Sequence, residues 1–540
     1  MSETAPAPTT RRQVLLPLSG LLLAMFSAFL SSTIVSNALP TIIADLDGSQ
    51  RQYTWVVVAT LLASTATTPL WGKTADLVDK KVLVQVATLV FTVGSVGAGL
   101  APSVELLIAW RAVQGLGLGG LQALVIIVVA AMISPRERGR YMGPIGAVMS
   151  VAPVVGPLLG GVIVDSPLGW RWCFFVGVPL SLASLLLVQR TLHLPLVRRP
   201  VRIDYLGAAL IVAAVSDLLV WVTLAGDSFA WGSATSWAMG LGGLALVGLA
   251  VLAESRAAEP VIPLRLFRDR TTTLATLASI AVGVAMFGGS VFLGQYFQVA
   301  RGYSPTAAGL LSLPMVLGST VSSVVSGQLI SRTGRWKVFL VLGGTLMTAG
   351  FGLLATLDHE TPMGLVFVYL ALLGTGMGMM MQNLVLAVQN TVHPSDLGTA
   401  SSTVSFFRSL GGTVGVSVLG VVLADRVAVL VREGLVAIGV DAPAGGAGVG
   451  IGGLEELPAP VEEVVRAAYG DATGRIFFVA AVLAVLGLLA ILCIREVPLR
   501  TLTGAEQLAE EQAAAAAAEA GAGGTETSPR LPEPVGPARR

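Results

Sequence analysis

Apolar residues run through this chain in blocks of about twenty, and polar residues collect between the blocks. A helix of that length crosses a hydrocarbon core about 30 Å thick. Backbone groups inside lipid must be satisfied within their own segment, so the blocks read as helices. The pattern predicts spans at about 14–36, 54–72, 82–101, 105–131, 141–164, 172–189, 204–224, 236–254, 272–298, 305–328, 337–357, 363–387, 400–424 and 475–495. That is an all-α, polytopic membrane chain of fourteen helices, and an even count puts both termini on one side. The spans divide into a six-helix bundle at 14–189, a helix pair at 204–254 and a second six-helix bundle at 272–495. A tail at 1–13 precedes them and another at 496–540 follows.

Composition strengthens this picture. Only 12% of the 540 residues are charged and 54% are hydrophobic, where a soluble chain is about a quarter charged. One set of loops holds Lys73, Lys80, Lys81, Arg136, Arg138, Arg140, Arg190, Arg198, Arg199, Arg202, Arg256, Arg265, Arg268, Arg270, Arg332, Arg335 and Lys337. The other set is short and mostly acidic, with Asp45, Asp47, Glu105, Asp165, Asp227, Asp358 and Glu360. The positive-inside rule then puts both termini in the cytoplasm of a bacterial cell with the chain in its inner membrane. One outer loop, 425–474, is long and flexible at APAGGAGVGIGG, and Val461, Val464, Val465 and Ala468 suggest a short amphipathic helix after it. The tail at 496–540 is low in complexity and expected to be disordered.

Several chemistries are excluded. A net charge of +1 gives no nucleic-acid partner. Cys173 and Cys493 imply no disulfide or zinc framework, and His193, His359 and His393 fall singly in loops, so no metal is expected. No phosphate-binding G-x-x-x-x-G-K-[ST] segment is present and no cofactor is expected. No clustered nucleophile or His/Asp/Glu set marks an enzyme. Thr10–Leu16, TRRQVLL, loosely resembles a twin-arginine export signal, but no cleavage site follows, and Arg11 and Arg12 read more simply as anchors of the first span.

An internal repeat is visible. Gly72-Lys-Thr-Ala-Asp76-Leu-Val-Asp79-Lys80-Lys81 follows the second span, and Gly327-Gln-Leu-Ile-Ser331-Arg332-Thr-Gly334-Arg335-Trp-Lys337 follows the tenth. If spans seven and eight are an insertion, each segment closes the second helix of a six-helix half, giving six plus two plus six. Paired halves of this kind build many secondary transporters.

Four segments carry a family resemblance. The first is Gly72–Lys81, with Gly72, Asp76, Lys80 and Lys81, echoed by Arg332 and Arg335 in the second copy. The second is Leu107–Gly120, LIAWRAVQGLGLGG, which places Arg111 inside an apolar span. The third is Gly146–Asp165, GAVMSVAPVVGPLLGGVIVD, with Gly146, Gly156, Pro157, Gly160 and Gly161 at fixed spacing. The fourth is Leu30–Pro40, LSSTIVSNALP. The chain resembles the fourteen-span drug:proton antiporter branch (EmrB/QacA-like) of the major facilitator superfamily, over nearly all of Leu18–Ile494. The resemblance implies the major facilitator fold and rocking-type alternating access.

Each segment has a physical reading. Asp76 either caps the next helix or pairs with a basic group, forming a latch between the halves; a charged turn that only fixes topology is the plainer alternative. Leu77 and Asp79 depart from the family pattern, and Ser331 stands in the acidic position of the second copy. The glycines of the fifth span let a neighbouring helix approach closely, and its prolines, Pro153 and Pro157, permit a bend. A cation within a span costs about 2.5–3.5 kcal/mol or more, so Arg111 faces a cavity or an acid, or else snorkels outward. The family uses this arginine in proton coupling. Its first-span acid is replaced here by Ser31, which cannot carry a proton near neutral pH.

Asp217, in AAVSDLLVWV, lies deep in the seventh span and is the nominated proton carrier, with a peripheral protonated acid as the alternative. Arg408, in SFFRSLGG, matches a family position. Asn37, Gln114, Gln295, Gln382 and Asn383 are candidates to line a cavity, and Gln298, Gln389 and Asn390 either join them or bond between helices. The expected function is proton-coupled efflux of hydrophobic drugs or antibiotics by a monomer. Its partners are a hydrophobic small molecule, protons and the bilayer. Export of an endogenous lipid or secreted metabolite by the same fold is the alternative.

Overall fold

A computed structural model of the chain describes residues 11–46, 50–133, 135–164, 166–192, 204–226, 229–257, 260–303, 305–439 and 458–500. They form α1 (Arg11–Asp45), α2 (Gln50–Leu77), α3 (Lys80–Gly99), α4 (Val104–Met132), α5 (Pro135–Val164), α6 (Trp172–Phe175), α7 (Gly177–Thr191), α8 (Tyr205–Leu224) and α9 (Ala234–Arg256). After these come α10 (Arg270–Gln295), α11 (Pro305–Leu311), α12 (Leu313–Thr333), α13 (Lys337–Leu354), α14 (Met363–Met381), α15 (Asn383–Thr391), α16 (Leu397–Ala437) and α17 (Ala459–Cys493).

Among the described residues, thirteen helices are long and apolar enough to cross a membrane. The remaining predicted span is α5, whose first turns carry Arg136, Glu137, Arg138 and Arg140. Large apolar side chains point outward all round, among them Leu89, Leu186, Leu244, Leu317 and Leu486, each more than half exposed. Such a surface is compatible with lipid and not with water.

Small residues set the helix spacing. In α4, a Cβ on Gly115 or Gly119 would strike the carbonyls of Thr60 and Ser64 in α2, whereas one on Gly117 would strike Ala87 and Phe91 in α3. In α14, Gly374 and Gly378 press in the same way on Met315 and Ser319 of α12, and Gly376 presses on Gly343 and Met347 of α13. Two G-x-G-x-G runs thus wedge a central helix between two neighbours, once in each part of the chain. Without a hydrophobic drive between helices in lipid, this close backbone approach is the main source of association.

Helices α1–α4, α6 and α7 pack mainly with one another, and so do α10–α17; α5 packs against both α1 and α12, and this pairing of α5 with α12, together with α2 with α16, joins the two groups. Helix α8 lies across one of these seams. Its Ile211, Val215 and Leu219 form an apolar cluster with Ala66 and Leu70 of α2 and with Phe406, Phe407 and Leu410 of α16.

Helix covers part of the stretch that the hydropathy pattern assigns to a loop at 425–474. Helix α16 runs on to Ala437 and α17 begins at Ala459, so Val461, Val464, Val465 and Ala468 belong to α17. Hydropathy falls at Asp425 and Arg426, but packing continues: Val464 presses on Gly434, and Val465 clusters with Val299 and Val431. The middle of that loop, 440–457, and the tail from 501 lie outside the described residues.

Candidate functional site

The seam between α2 and α16 holds a clasp. Asp76, in the last turn of α2, accepts hydrogen bonds through Oδ1 from the Gly398 amide (3.0 Å) and through Oδ2 from the Thr399 amide (2.9 Å) and Thr399 Oγ1 (2.7 Å). The carboxylate thereby caps the N-terminus of α16, where free amides and the helix dipole favour an anion. Thus Asp76 caps a helix more than 300 residues away, rather than the next one. That nearer role falls to Asp79, the departure from the family pattern, whose Oδ1 accepts from the Lys81 amide at the start of α3 (2.8 Å).

Glycine permits the crossing. A Cβ on Gly72 would overlap Ser402, and one on Gly398 would overlap Asp76. The second copy has a different partner. The amides of Trp336 and Lys337 donate to Glu496 beyond α17 (3.1 and 3.2 Å), while Arg332 and Arg335 are exposed.

Further bonds collect the neighbouring loops on this basic face. Lys81 Nζ donates to the Gln189 carbonyl (2.7 Å) and Arg265 pairs with Asp396 (2.9 Å). Asn390 accepts from the Arg500 amide (2.9 Å). Gln389 donates to Ser401 Oγ (2.7 Å).

The fifth-span glycines serve two different partners. A Cβ on Gly146 would meet Ser323 of α12, in the other group, and Gln382 lies nearby. A Cβ on Gly156 would meet Thr33 and Ile34 of α1, in its own group. Gly160 is buried. The surroundings of Asn37, Pro153, Pro157, Gly161 and Asp165 lie outside the described residues.

Two buried arginines are held by neutral groups. Arg111 donates from Nε to the Val56 carbonyl (3.2 Å) and from Nη1 to Gln114 Oε1 (2.5 Å), and Gln114 in turn donates to Ser95 Oγ (2.7 Å). Arg408 donates to the Met381 carbonyl (3.0 Å), at the C-terminus of α14, whose free carbonyls favour a cation. Among the described residues no carboxylate bonds either guanidinium. Ser31 lies against Gly177, beside Ser27, which bonds the Gly177 carbonyl (2.7 Å) and Ser181 (2.9 Å). Ser31 thus packs among small residues, its hydroxyl buried without a hydrogen-bond partner among the described residues.

The other candidates are scattered. Asp217 sits against Gly243, between α8 and α9, with Oδ2 buried. Asn383 donates to Ser326 Oγ (3.2 Å), linking α15 to α12. Gln295 is partly buried at the end of α10. The sequence reading missed Thr399, although HPSDLGTASS carries a helix-start signature. It also missed a polar cluster of Lys73, Asp204 and Glu254.

On the opposite face each group is tied by its own bonds. Trp170 Nε1 donates to Asp45 (2.7 Å), and Gln52 donates to Glu105 (2.6 Å). In the other group Arg301 donates to the carbonyls of His359 and Thr361, and His359 Nδ1 pairs with Asp471 (2.8 Å). The Asp471 carboxylate raises the pKa of His359 above its ordinary value. A raised imidazole stabilises the fold below its unfolded pKa, about 6.5, and that contribution fades as pH rises through the higher folded value. Thermal unfolding of purified protein is therefore expected to show a modest fall in melting temperature as pH rises across this window, and H359Q should flatten it. An equally steep fall in H359Q would remove the role.

Residues 21–416 match the Major Facilitator Superfamily. The chain is 37% identical over 488 residues to the uncharacterized MFS-type transporter Rv1877 of Mycobacterium tuberculosis, covering 89% of this chain and 69% of that protein. It is 34% identical over 422 residues to the multidrug transporter protein MdtP of Bacillus subtilis, covering 78% and 77%. Its fold is similar to that of the proton:xylose symporter XylE, with a TM-score of 0.61 at 14% identity, covering 93% of this chain and all of that one. The chain belongs to the Major Facilitator Superfamily. It is a multi-pass membrane transporter that moves small molecules rather than an enzyme.

Proposed function

We propose that this transporter is a proton-coupled multidrug efflux antiporter of the fourteen-span branch, with α5 as its fourteenth span. Helices α1–α7 and α10–α17 are its two six-helix halves, and α8–α9 is the inserted pair. The observation that carries the reading is the Asp76 clasp, because it joins the halves at one face only and must break for that face to open. Rocking about the α2–α16 and α5–α12 seams then exposes a site between the halves alternately to either side. The present arrangement is the one closed at the basic face. Buried Arg111 and Arg408 and partly buried Asp217 are candidates for coupling, and Gln382 borders the space between the halves. The similarity to a multidrug transporter supports drugs as the substrate class.

Growth on a panel of toxic compounds with and without expression, alongside pH-gradient dissipation in vesicles, tests this. Protection against several apolar compounds with substrate-driven proton movement is expected. Protection without proton movement would sink antiport, and no protection would sink drug export.

Orientation has its own test. With Cys173 and Cys493 replaced by serine, a cysteine at exposed Glu360 should label with an impermeant thiol reagent in whole cells, and one at exposed Arg335 should not. The reverse pattern would place the basic face outside.

A further inference from the structure

The polar cluster that the sequence reading overlooked lies where the α8–α9 pair meets α2. Asp204 caps α8, with Oδ1 accepting from the Gly207 amide (2.9 Å). Glu254, two residues from the end of α9, is 5% exposed, and its Oε2 accepts from the Ile262 amide (2.9 Å). Among the described residues, the second oxygen of each carboxylate, Asp204 Oδ2 and Glu254 Oε1, is buried and meets no hydrogen-bond donor. Both oxygens crowd the point where a Cβ on Gly207 would sit, so they lie within about 5 Å of each other. Only glycine at 207 leaves room for the two.

Among the described residues, the charges facing this pair are few. Lys73 of α2, 8% exposed, acts on Glu254, as does Asp204; the Val261 and Ile262 backbone supplies the remaining polar contact. The nearby surfaces of α2 and α16 are apolar, from Ala66 and Leu70 to Phe406 and Phe407. Among the described residues, two carboxylates against one lysine leave an excess negative charge in a buried place. Two like charges so close disfavour each other, and a proton shared between them relieves the repulsion.

We infer that Asp204 and Glu254 hold one proton between them, forming a proton site outside the space between the halves. The proton bridges the two donorless oxygens and balances the charge against Lys73. Lys73 adjoins Gly72, which lies in the α2–α16 crossing, and α8 spans the same seam. Losing the proton therefore adds a negative charge beside the helix that carries the clasp. On the transport reading above, this couples proton occupancy to opening of the basic face.

The proton site is testable without any substrate. Full-length protein in lipid nanodiscs is titrated while difference infrared spectra follow the protonated-carboxyl band. The wild type should show a titrating band that moves to lower pH in both E254Q and D204N, because either change removes one of the two like charges that hold the proton. A shift in one variant alone would assign the proton to a single acid and overturn the pair. An unmoved titration in both would overturn the site. K73M keeps both acids and guards against misfolding of the charge-removal variants. Its band should disappear at higher pH than in the wild type, and an unmoved titration would refute the charge balance. If the band behaves as expected but K73M leaves the pH profile of transport unchanged, the link to the seam falls and the site stands. Absence of transport in the wild type would instead count against the functional reading.

Discussion

A leucine in place of Gly146 is expected to abolish transport while leaving insertion and yield near normal. Gly146 lies where α5 of one half meets α12 of the other, and even a Cβ there would overlap Ser323. Overpacking a tight contact costs about 1–3 kcal/mol. Because this contact joins the halves, that cost falls on the arrangement closed at the basic face and shifts the population roughly 5- to 150-fold away from it. Gly156→Leu is the instructive partner. It strikes Thr33 and the Ile34 backbone of α1 inside one half, so it should lower the melting temperature of the whole protein as well as its activity. Transport assays and thermal unfolding of the two variants separate these effects. A Gly146→Leu protein that transports at the normal rate would show that the seam need not close.

Removing the charge of Asp76 is expected to slow turnover at least about tenfold. Asp76 receives three hydrogen bonds from Gly398 and Thr399. Bonds to a charged acceptor contribute roughly 1.5–3 kcal/mol each, and Asp76→Asn loses the charge and turns one acceptor into a donor facing donors. The variant should populate the state open at the basic face. A cysteine introduced at Ser402, which is buried beneath Gly72, should then label faster than in an otherwise native background. Normal turnover together with unchanged labelling would mean that the bond is incidental to the cycle.

Much of this architecture was legible because membrane helices advertise themselves. Blocks of twenty apolar residues need no tertiary context to be recognised, and the basic loops between them mark one face. Gly72 and Asp76 could also be singled out, from a charged turn that recurs as Gly327–Lys337. What escaped was partner identity. Nothing near Asp76 in sequence points to Thr399, because the contact is made by two helices crossing from opposite halves. The Asp204 and Glu254 carboxylates are 50 residues apart and each sits at a helix end, where an acid looks like an ordinary cap or surface group. Only the crowding at Gly207 shows that they face each other. Charge reading also favoured an acid near Arg111, whereas a carbonyl and Gln114 satisfy it. Neutral acceptors leave no mark in a charge pattern.

The two G-x-G-x-G runs carry a consequence for heredity. Every amino-acid replacement of a glycine adds at least a methyl group, so positions such as Gly115, Gly374 and Gly378 have no smaller or equal substitute. There the first added carbon meets a neighbouring backbone oxygen. Drift through ordinary missense changes is therefore closed along the wedge faces of α4 and α14, while their lipid-facing positions can exchange one aliphatic residue for another. Lineages of this transporter should diversify around a fixed lattice of glycines, and new substrate ranges should arise from residues between the halves rather than from altered spacing within them.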